Sequence, residues 1–351
     1  MEMPLGQRLR ELPGPLLLTG HTGFKGTWMT FLLEHLNVPV VGFSLPAEKD
    51  SLFDRAERTG AIPEEFSDIR DYEALERFID LHKPSTIIHM AAQPLVLKSY
   101  ENPRETFDIN LMGTVNLLDI AFKKDFIKAI IIVTTDKVYR NDDSGRAFVE
   151  TDPLEGKDPY SASKVGTESA VAAWQQISRI SGGPNVVSVR AGNVIGGGDL
   201  AKNRLIPDLI RGVMSGSEVE IRNPSSTRPW QHVLDPLSGY LTALELSIID
   251  PNISHFNFGP KDRGVEVSQI VQMAKHHFPQ IKTTYVAENF AGVESRTLDL
   301  DSSISTLKLN WYPVFDQLDS VDLTLIWWKE ALENNFSVSD LCKNDILKRF
   351  S

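Results

Sequence analysis

Residues 16–26 read LLLTGHTGFKG, an apolar run that turns into a glycine-punctuated loop and then into a helical stretch, Lys25–Leu36. Gly20, Gly23 and Gly26 fall at strand end, turn and helix start, the arrangement that turns backbone amides and a helix N-terminus toward a pyrophosphate. With His21, Thr22, Phe24 and Lys25 they form the candidate cofactor cradle. His21 and Lys25 stand where such loops usually carry small or apolar residues, and the sequence leaves Lys25 two directions, toward the pyrophosphate or toward solvent.

Working outward, the β-rich runs VPVVGFSL (38–45), STIIHMAA (85–92), AIIIVTTD (129–136) and NVVSVRAGNV (185–194) alternate with helical patterns such as Pro103–Lys124. This predicts an α/β fold, a doubly wound parallel sheet of the Rossmann type, over residues 1–192. From GGGD (196–199) onward, turns marked by proline interleave with shorter helices, so residues 193–351 read mainly as a smaller lobe that covers the ligand, with some segments returning to the first domain. The polar C-terminus, Asn334–Ser351, reads as a peripheral helix or a frayed tail. The loop SDIRD (67–71) suits the adenine side, with Asp68 and Ile69 as contacts, and HMAAQP (89–94) brings Ala91, Ala92 and Gln93 to the end of the fourth strand. Ser44 stands where an NAD site often has an acid for the ribose hydroxyls, and no arginine follows at once to receive a 2′-phosphate. The expected cofactor is NAD rather than NADP.

The 351 residues carry 36 Lys and Arg against 47 Asp and Glu, a net charge of -11, which argues against a general affinity for nucleic acid or an anionic membrane. An anionic ligand must therefore meet a local basic cluster. The single cysteine, Cys342, excludes an internal disulfide and a cysteine-rich zinc site, and the eight histidines show no ligand spacing, so no metal site is expected. The first fifteen residues lack an apolar signal core, and no run approaches the ~20 apolar residues of a membrane span, so the expected location is the cytoplasm.

PYSASKVGTE (159–168) places Tyr160 and Lys164 on one face at the start of a helix, where an ammonium would pull the phenol down from its ordinary value of about 10 and make it a base. TTDK (134–137) ends the preceding strand, so a hydroxyl, a carboxyl and an amine emerge at the carboxyl edge of the sheet, where such folds bind ligands.

The chain resembles the extended short-chain dehydrogenase/reductases of the NAD-dependent epimerase/dehydratase family, and within them the branch of CDP-glucose 4,6-dehydratases. The likeness is carried by TGHTGFKG, SLFDRA, DIRD, HMAAQPLV, NLMGTVNLLD, TTDKVY, PYSASK, RAGNVIGGGD, RLIPDLIRG, RPWQHVLDPLSGY and NFGP, of which GHTGFKG, TTDK and RPWQHVLDPL are the narrowest. The resemblance implies conversion of CDP-glucose to a 4-keto-6-deoxy sugar for deoxysugar and surface-polysaccharide biosynthesis, by oxidation at carbon 4, loss of water across carbons 5 and 6, and hydride return to carbon 6. It implies Tyr160 as base, Thr135 on the 4-oxygen, Lys164 on the nicotinamide ribose, Asp136 as acid for the departing 6-hydroxyl, and Lys137 at the place of the carbon-5 base. Asn193, Arg204 and Arg228 match the family's contacts to the sugar nucleotide. Bulk at His21 and charge at Lys137 imply looser NAD retention than in dTDP-sugar enzymes. A homodimer is implied, built on the helical stretches 102–122 and 161–177. Leu97-Lys98, Leu200 and Val293-Glu294 depart from the family pattern, leaving another nucleotide sugar open, as are a 4-epimerase and an inactive dinucleotide-binding regulator.

Overall fold

The computed structural model describes residues 4–142, 144–285, 298–333 and 336–350. Val293-Glu294 lies outside the described residues. Strands β1 (Leu16–Thr19), β2 (Val40–Ser44), β3 (Glu64–Phe66), β4 (Thr86–His89), β5 (Ala129–Val133) and β6 (Asn185–Ala191) pair in parallel with a seventh strand, His255–Phe258. Their order across the sheet is His255–Phe258, β6, β5, β4, β1, β2, β3. The order reverses between β1 and β4, the switch point at which the carboxyl ends of such sheets open a crevice.

Burial on both faces explains why the strands are apolar runs rather than alternating ones. Leu16 and Leu18 of β1 enter one hydrophobic cluster with Trp28, Phe31 and Leu237, while Leu17 enters another with Phe78, Leu117 and Val171. Successive side chains of a strand point to opposite faces, so three consecutive leucines serve two cores. The helix Phe24–His35 can start hard against β1 only because residue 26 is glycine: an added Cβ there would lie 2.1 Å from the Gly20 carbonyl oxygen.

The stretch expected as one helix over 102–122 is helical over 103–121 but contains a π turn, Asp108–Met112. Wide turns of this kind re-aim a side chain without ending the helix. Here Asn110 faces inward, accepts from the Gln93 backbone N–H at 2.8 Å and donates to the Ser163 hydroxyl at 2.9 Å. It thereby ties the β4 exit loop to the helix Pro159–Ser181. That helix begins at Asp158, which exchanges hydrogen bonds with Ser161 in a capping box, and Pro159 occupies its first turn.

The C-terminal segment docks as a helix, Val338–Phe350, rather than fraying. Leu341, Cys342 and Ile346 make a narrow buried stripe that the surrounding polarity hides, and the Phe350 ring lies 5.9 Å from that of His35. Among the described residues no helix is long and apolar enough to cross a membrane.

A buried ion pair clamps the helix Pro159–Ser181 to the sheet. Arg190 of β6 donates through Nε and Nη2 to the two oxygens of Glu168, each at 2.8 Å, and Glu168 also accepts from the hydroxyls of Thr134 (2.6 Å) and Ser188 (2.8 Å). A bidentate pair with its lone pairs satisfied is the condition under which a buried charge is tolerated. Glu168→Ala strands the guanidinium and is expected to lower stability by about 3 to 5 kcal/mol. Urea unfolding followed by circular dichroism checks this, and an unchanged midpoint contradicts the clamp.

Candidate active site

β5 leaves the sheet at Thr134 and tightens into a short 3₁₀ turn, Asp136–Val138, capped by the Thr135 hydroxyl, which accepts from the Lys137 N–H at 3.3 Å. The same hydroxyl donates to Asp136 Oδ1 at 2.9 Å. Asp136 fits because its neighbour across the crevice is Gly192, where an added Cβ would stand 2.9 Å from Asp136 Oδ2. Burial pushes the Asp136 carboxyl up from its ordinary value, against the opposing charges of Lys137 and Lys25 and the Thr135 hydrogen bond.

Tyr160 and Lys164 enter the crevice from the first turns of their helix, where the Ser99 hydroxyl accepts from the Tyr160 backbone N–H at 3.1 Å. Their electrostatics differ from the expectation. Burial pushes the Tyr160 phenol up to about 12, and the groups that pull it down are the Thr135 hydroxyl and Arg204. Lys164 Nζ instead donates to the Val133 carbonyl at 3.0 Å, and burial, with the nearby Lys25 charge, lowers it to about 7. A buried amine close to a second cation sheds its proton near neutrality.

Lys25 does not point to solvent. It turns inward, its Nζ 5.8 Å from the centroid of the Tyr240 ring, into the fields of Arg204 and Asp136, and burial lowers it to about 8. Arg204 is steadied by Asp199, whose carboxylate accepts from Nη1 at 3.0 Å. Lys25, Thr135, Asp136, Tyr160, Lys164 and Arg204 thus converge on one crevice, and they supply the local basic cluster that an acidic protein needs for an anionic ligand. Tyr240 is a member that sequence reasoning missed. It is fully buried in the field of Tyr160 and Asp136, and its hydroxyl has no hydrogen-bond partner among the described residues. The available signal was its place at the end of the RPWQHVLDPLSGY motif.

Asn193 directly follows Gly192 and pairs with Trp230 in a small parallel sheet, which draws the segment carrying Arg228 toward Asp136. Pro229 Cγ would lie 3.4 Å from a Cβ at residue 192. Arg228 Nη1 donates to the Thr227 carbonyl at 2.8 Å. Lys137, half-buried, stays on the Asp136 turn.

The glycine loop lies at the other end of the crevice. Gly20 has φ +74°, and a Cβ there would meet the Ala91 nitrogen at 2.7 Å, so β1 and the β4 exit loop approach as only glycine allows. Gly23 caps the helix Phe24–His35 with no side chain on its amides, and a Cβ at residue 23 would meet only the Gly20 oxygen, at 3.4 Å. An open helix N-terminus between glycines fits the pyrophosphate of a dinucleotide. His21 does not face that opening: its fully buried ring lies under Gly42 and its Nε2 is 2.8 Å from Glu64 Oε2. Ser44 and Thr22 join their hydroxyls at 2.8 Å, and Thr22 also donates to the Leu45 carbonyl at 2.9 Å. On the adenine side, Asp68 holds Arg70 through both carboxylate oxygens. Ile69 points into the core against Gly113, leaving only its backbone to meet a ligand. Gln93 is bound to Leu95, Thr106 and Asn110, and the Ala91 N–H donates to the Thr19 hydroxyl at 3.2 Å; Ala92 continues the same turn.

A family model described as the NAD dependent epimerase/dehydratase family matches residues 16–259. The chain belongs to this family. It is 39% identical over 324 residues, 90% of each chain, to a CDP-glucose 4,6-dehydratase of Salmonella typhimurium. Among solved structures it is similar to a UDP-glucose-4-epimerase of Stenotrophomonas maltophila with bound NAD and formylated UDP-arabinopyranose. The TM-score is 0.80 at 20% identity, covering 92% of this chain and 100% of that one. It is also similar to a dTDP-glucose 4,6-dehydratase of Bacillus anthracis in complex with NAD, with TM-score 0.76 at 21% identity over 92% of this chain and 98% of that one. These structural likenesses establish the fold.

Because Lys25 acts on Lys164 through space, Lys25→Met is expected to raise the Lys164 pKa above its value of about 7. Titration of side-chain-labelled lysine by NMR reads it, and an unshifted or lowered Lys164 would place Lys25 elsewhere.

Proposed function

We propose that the chain is an NAD-dependent nucleotide-sugar 4,6-dehydratase whose substrate is CDP-glucose. The observation that carries this reading is the buried carboxyl of Asp136, pushed up from its ordinary value by burial, in the field of the buried Tyr160 phenol. Inverting a hydroxyl needs one proton acceptor, whereas expelling water needs a separate acid, and the crevice supplies both. The relative from Salmonella typhimurium, a CDP-glucose 4,6-dehydratase, supports the same substrate for this chain.

In this reading the loop Gly20–Gly26, Ser44, Asp68, Ile69, Ala91, Ala92 and Gln93 hold the dinucleotide, with Tyr160 and Lys164 on its nicotinamide ribose. Held there, NAD would supply the hydride-transfer chemistry that links carbon 4 and carbon 6. Tyr160 takes the proton of the 4-hydroxyl while Thr135 steadies that oxygen. Oxidation acidifies the carbon-5 proton, which Lys137 removes, and Asp136 protonates the departing 6-hydroxyl so that it leaves as water. Asn193, Arg204 and Arg228 bind the nucleotide diphosphate, for which a guanidinium fork is suited. Exposed Phe107, Met112, Ile177 and Ile180 lie on the two helices expected to pair across a two-fold axis, and they support a homodimer. A single buried cysteine suits a reducing cytoplasm.

Mass analysis after incubation with NAD and a panel of nucleotide-glucoses tests the reading: CDP-glucose is expected to lose one water and, in deuterated water, to gain deuterium at carbon 5. Simple inversion at carbon 4 overturns it. Tyr160→Phe is expected to lose about a hundredfold or more in turnover while still binding the sugar nucleotide. Asp136→Asn is expected to stall after oxidation, with enzyme-bound NADH accumulating in a single turnover, and wild-type rates would remove Asp136 from the acid role. Sedimentation of an active, dilute monomer would refute the dimer.

A further inference from the structure

We propose that His89 is a positioning residue: as one neutral tautomer, with its proton on Nε2, it ties the glycine loop to the helix that carries Tyr160 and Lys164. That the loop holds NAD and the helix the chemistry rests on the functional reading above.

His89 ends β4, the central strand of the sheet, in register with Thr19 at the end of β1. Its Nδ1 lies 2.7 Å from the Thr19 hydroxyl and its Nε2 3.0 Å from that of Thr114. The surrounding donors decide which nitrogen holds the proton. The Thr19 hydroxyl oxygen already accepts from the backbone N–H groups of Met90 and Ala91, each at 3.2 Å. An oxygen whose two lone pairs are engaged has only its hydrogen left to offer. Thr19 therefore donates to Nδ1, which must be bare, and Nε2 carries the proton. The other end agrees. The Thr114 hydroxyl donates to the Asn110 carbonyl at 2.7 Å, so its oxygen is free to accept from Nε2–H. A second ring proton would set Nδ1–H against the crowded Thr19 oxygen. In line with that count, burial and the charge of nearby Lys164 lower the ring to about 3.

From the two nitrogens the bonds continue to functional elements. Thr19 directly precedes Gly20, and its hold on the Ala91 N–H sets where the glycine loop leaves β1 and where the β4 exit passes it. From Thr114 the chain runs to the Asn110 carbonyl, which also accepts from the Thr167 hydroxyl at 2.9 Å on the helix Pro159–Ser181. The Asn110 side chain reaches the same helix at Ser163, whose hydroxyl donates to the Tyr160 carbonyl at 2.6 Å. Thr19, His89, Asn110, Thr114, Ser163 and Thr167 are each 2% exposed or less, so a lost bond leaves a buried polar group unpaired. Loop and helix are thereby held at one separation, and that separation sets how a dinucleotide seated on the loop meets Tyr160. An imidazole suits the place because it sets a bare nitrogen and an N–H on a rigid ring, where leucine would offer neither.

The experiment uses the full chain. Nitrogen NMR of histidine-labelled protein is expected to show His89 as the Nε2–H tautomer alone, its signals assigned by their absence from His89→Gln. A ring protonated on Nδ1, or on both nitrogens at neutral pH, overturns the proposal, and this result stands on the wild-type protein whatever the variants do. The tie is read by a double-variant cycle, since Thr19→Val and Thr114→Val each remove one hydroxyl with little change of volume. Each is expected to weaken NAD, measured by calorimetry, about fivefold, the worth of one hydrogen bond. If both act through His89, the double variant binds no more weakly than the weaker single one. Losses that multiply to about twenty-fivefold, or single variants that bind as wild type does, overturn the tie. Thr19→Ser keeps the hydroxyl and is expected to bind NAD as wild type does; a loss equal to that of Thr19→Val assigns the effect to packing and overturns the tie as well. A wild type that forms no bound NADH with any nucleotide sugar defeats the functional reading instead, while the tautomer and the NAD cycle still decide the role of His89.

Discussion

The ion pair between Arg190 and Glu168 is the constraint on which the catalytic geometry depends. Glu168 stands one turn beyond Lys164, so fixing its carboxylate to β6 and to the Thr134 hydroxyl fixes the rotation of the whole helix. The helix can then present Tyr160 and Lys164 only to the end of β5. The guanidinium also donates to the Tyr139 hydroxyl at 2.7 Å, and that hydroxyl donates to Asn257 Oδ1 at 2.7 Å in the strand His255–Phe258. A network satisfied at each of these positions is rigid, because every displacement would leave a buried polar group unpaired. The exit of β5, the third strand of the network and the catalytic helix therefore move as one body.

The pocket built on this frame concentrates positive charge in a protein of net charge -11. Lys25, Lys164 and Arg204 act on one another within it, and the two amines share the cost of crowding by holding their protons weakly. Such a site is electrostatically prepared for a dianionic sugar nucleotide and for a dinucleotide pyrophosphate, and it makes a neutral amine available near physiological pH. The same desolvation raises both Asp136 and Tyr160 from their ordinary values.

At the glycine loop, steric fit outweighs charge. The His21 ring occupies the space that Gly42 leaves over β2, meets Glu64 of β3 and packs edge-on to Phe53. A larger residue at either position would push the loop outward. His21 thus shapes the loop through β2 and β3, while the opening itself remains glycine and amide.

The sequence by itself determined the alternation of strands and helices, the glycine loop between the first strand and helix, and the placing of Tyr160 and Lys164 on one helix face, because these depend on spacing of a few residues. Period-two and period-3.6 patterns, a glycine every third residue and an i, i+4 pair are local facts. It likewise placed Thr135, Asp136 and Lys137 together, since they are consecutive at a strand end. It could not give the direction of Lys25, the partner of His21, the membership of Tyr240 or the clamp on Glu168. Each of these depends on a residue far away along the chain: Tyr240 for Lys25, Glu64 for His21, Tyr160 and Asp136 for Tyr240, and Arg190 for Glu168. The buried stripe of Val338–Phe350 was hidden for a related reason, as this helix packs against the helix Phe24–His35 at the other end of the chain as well as against its neighbour Gln317–Glu333. Local periodicity says that a side chain is buried, but only the packed structure says against what, and the energy and the pKa of a buried polar group are set by that neighbour.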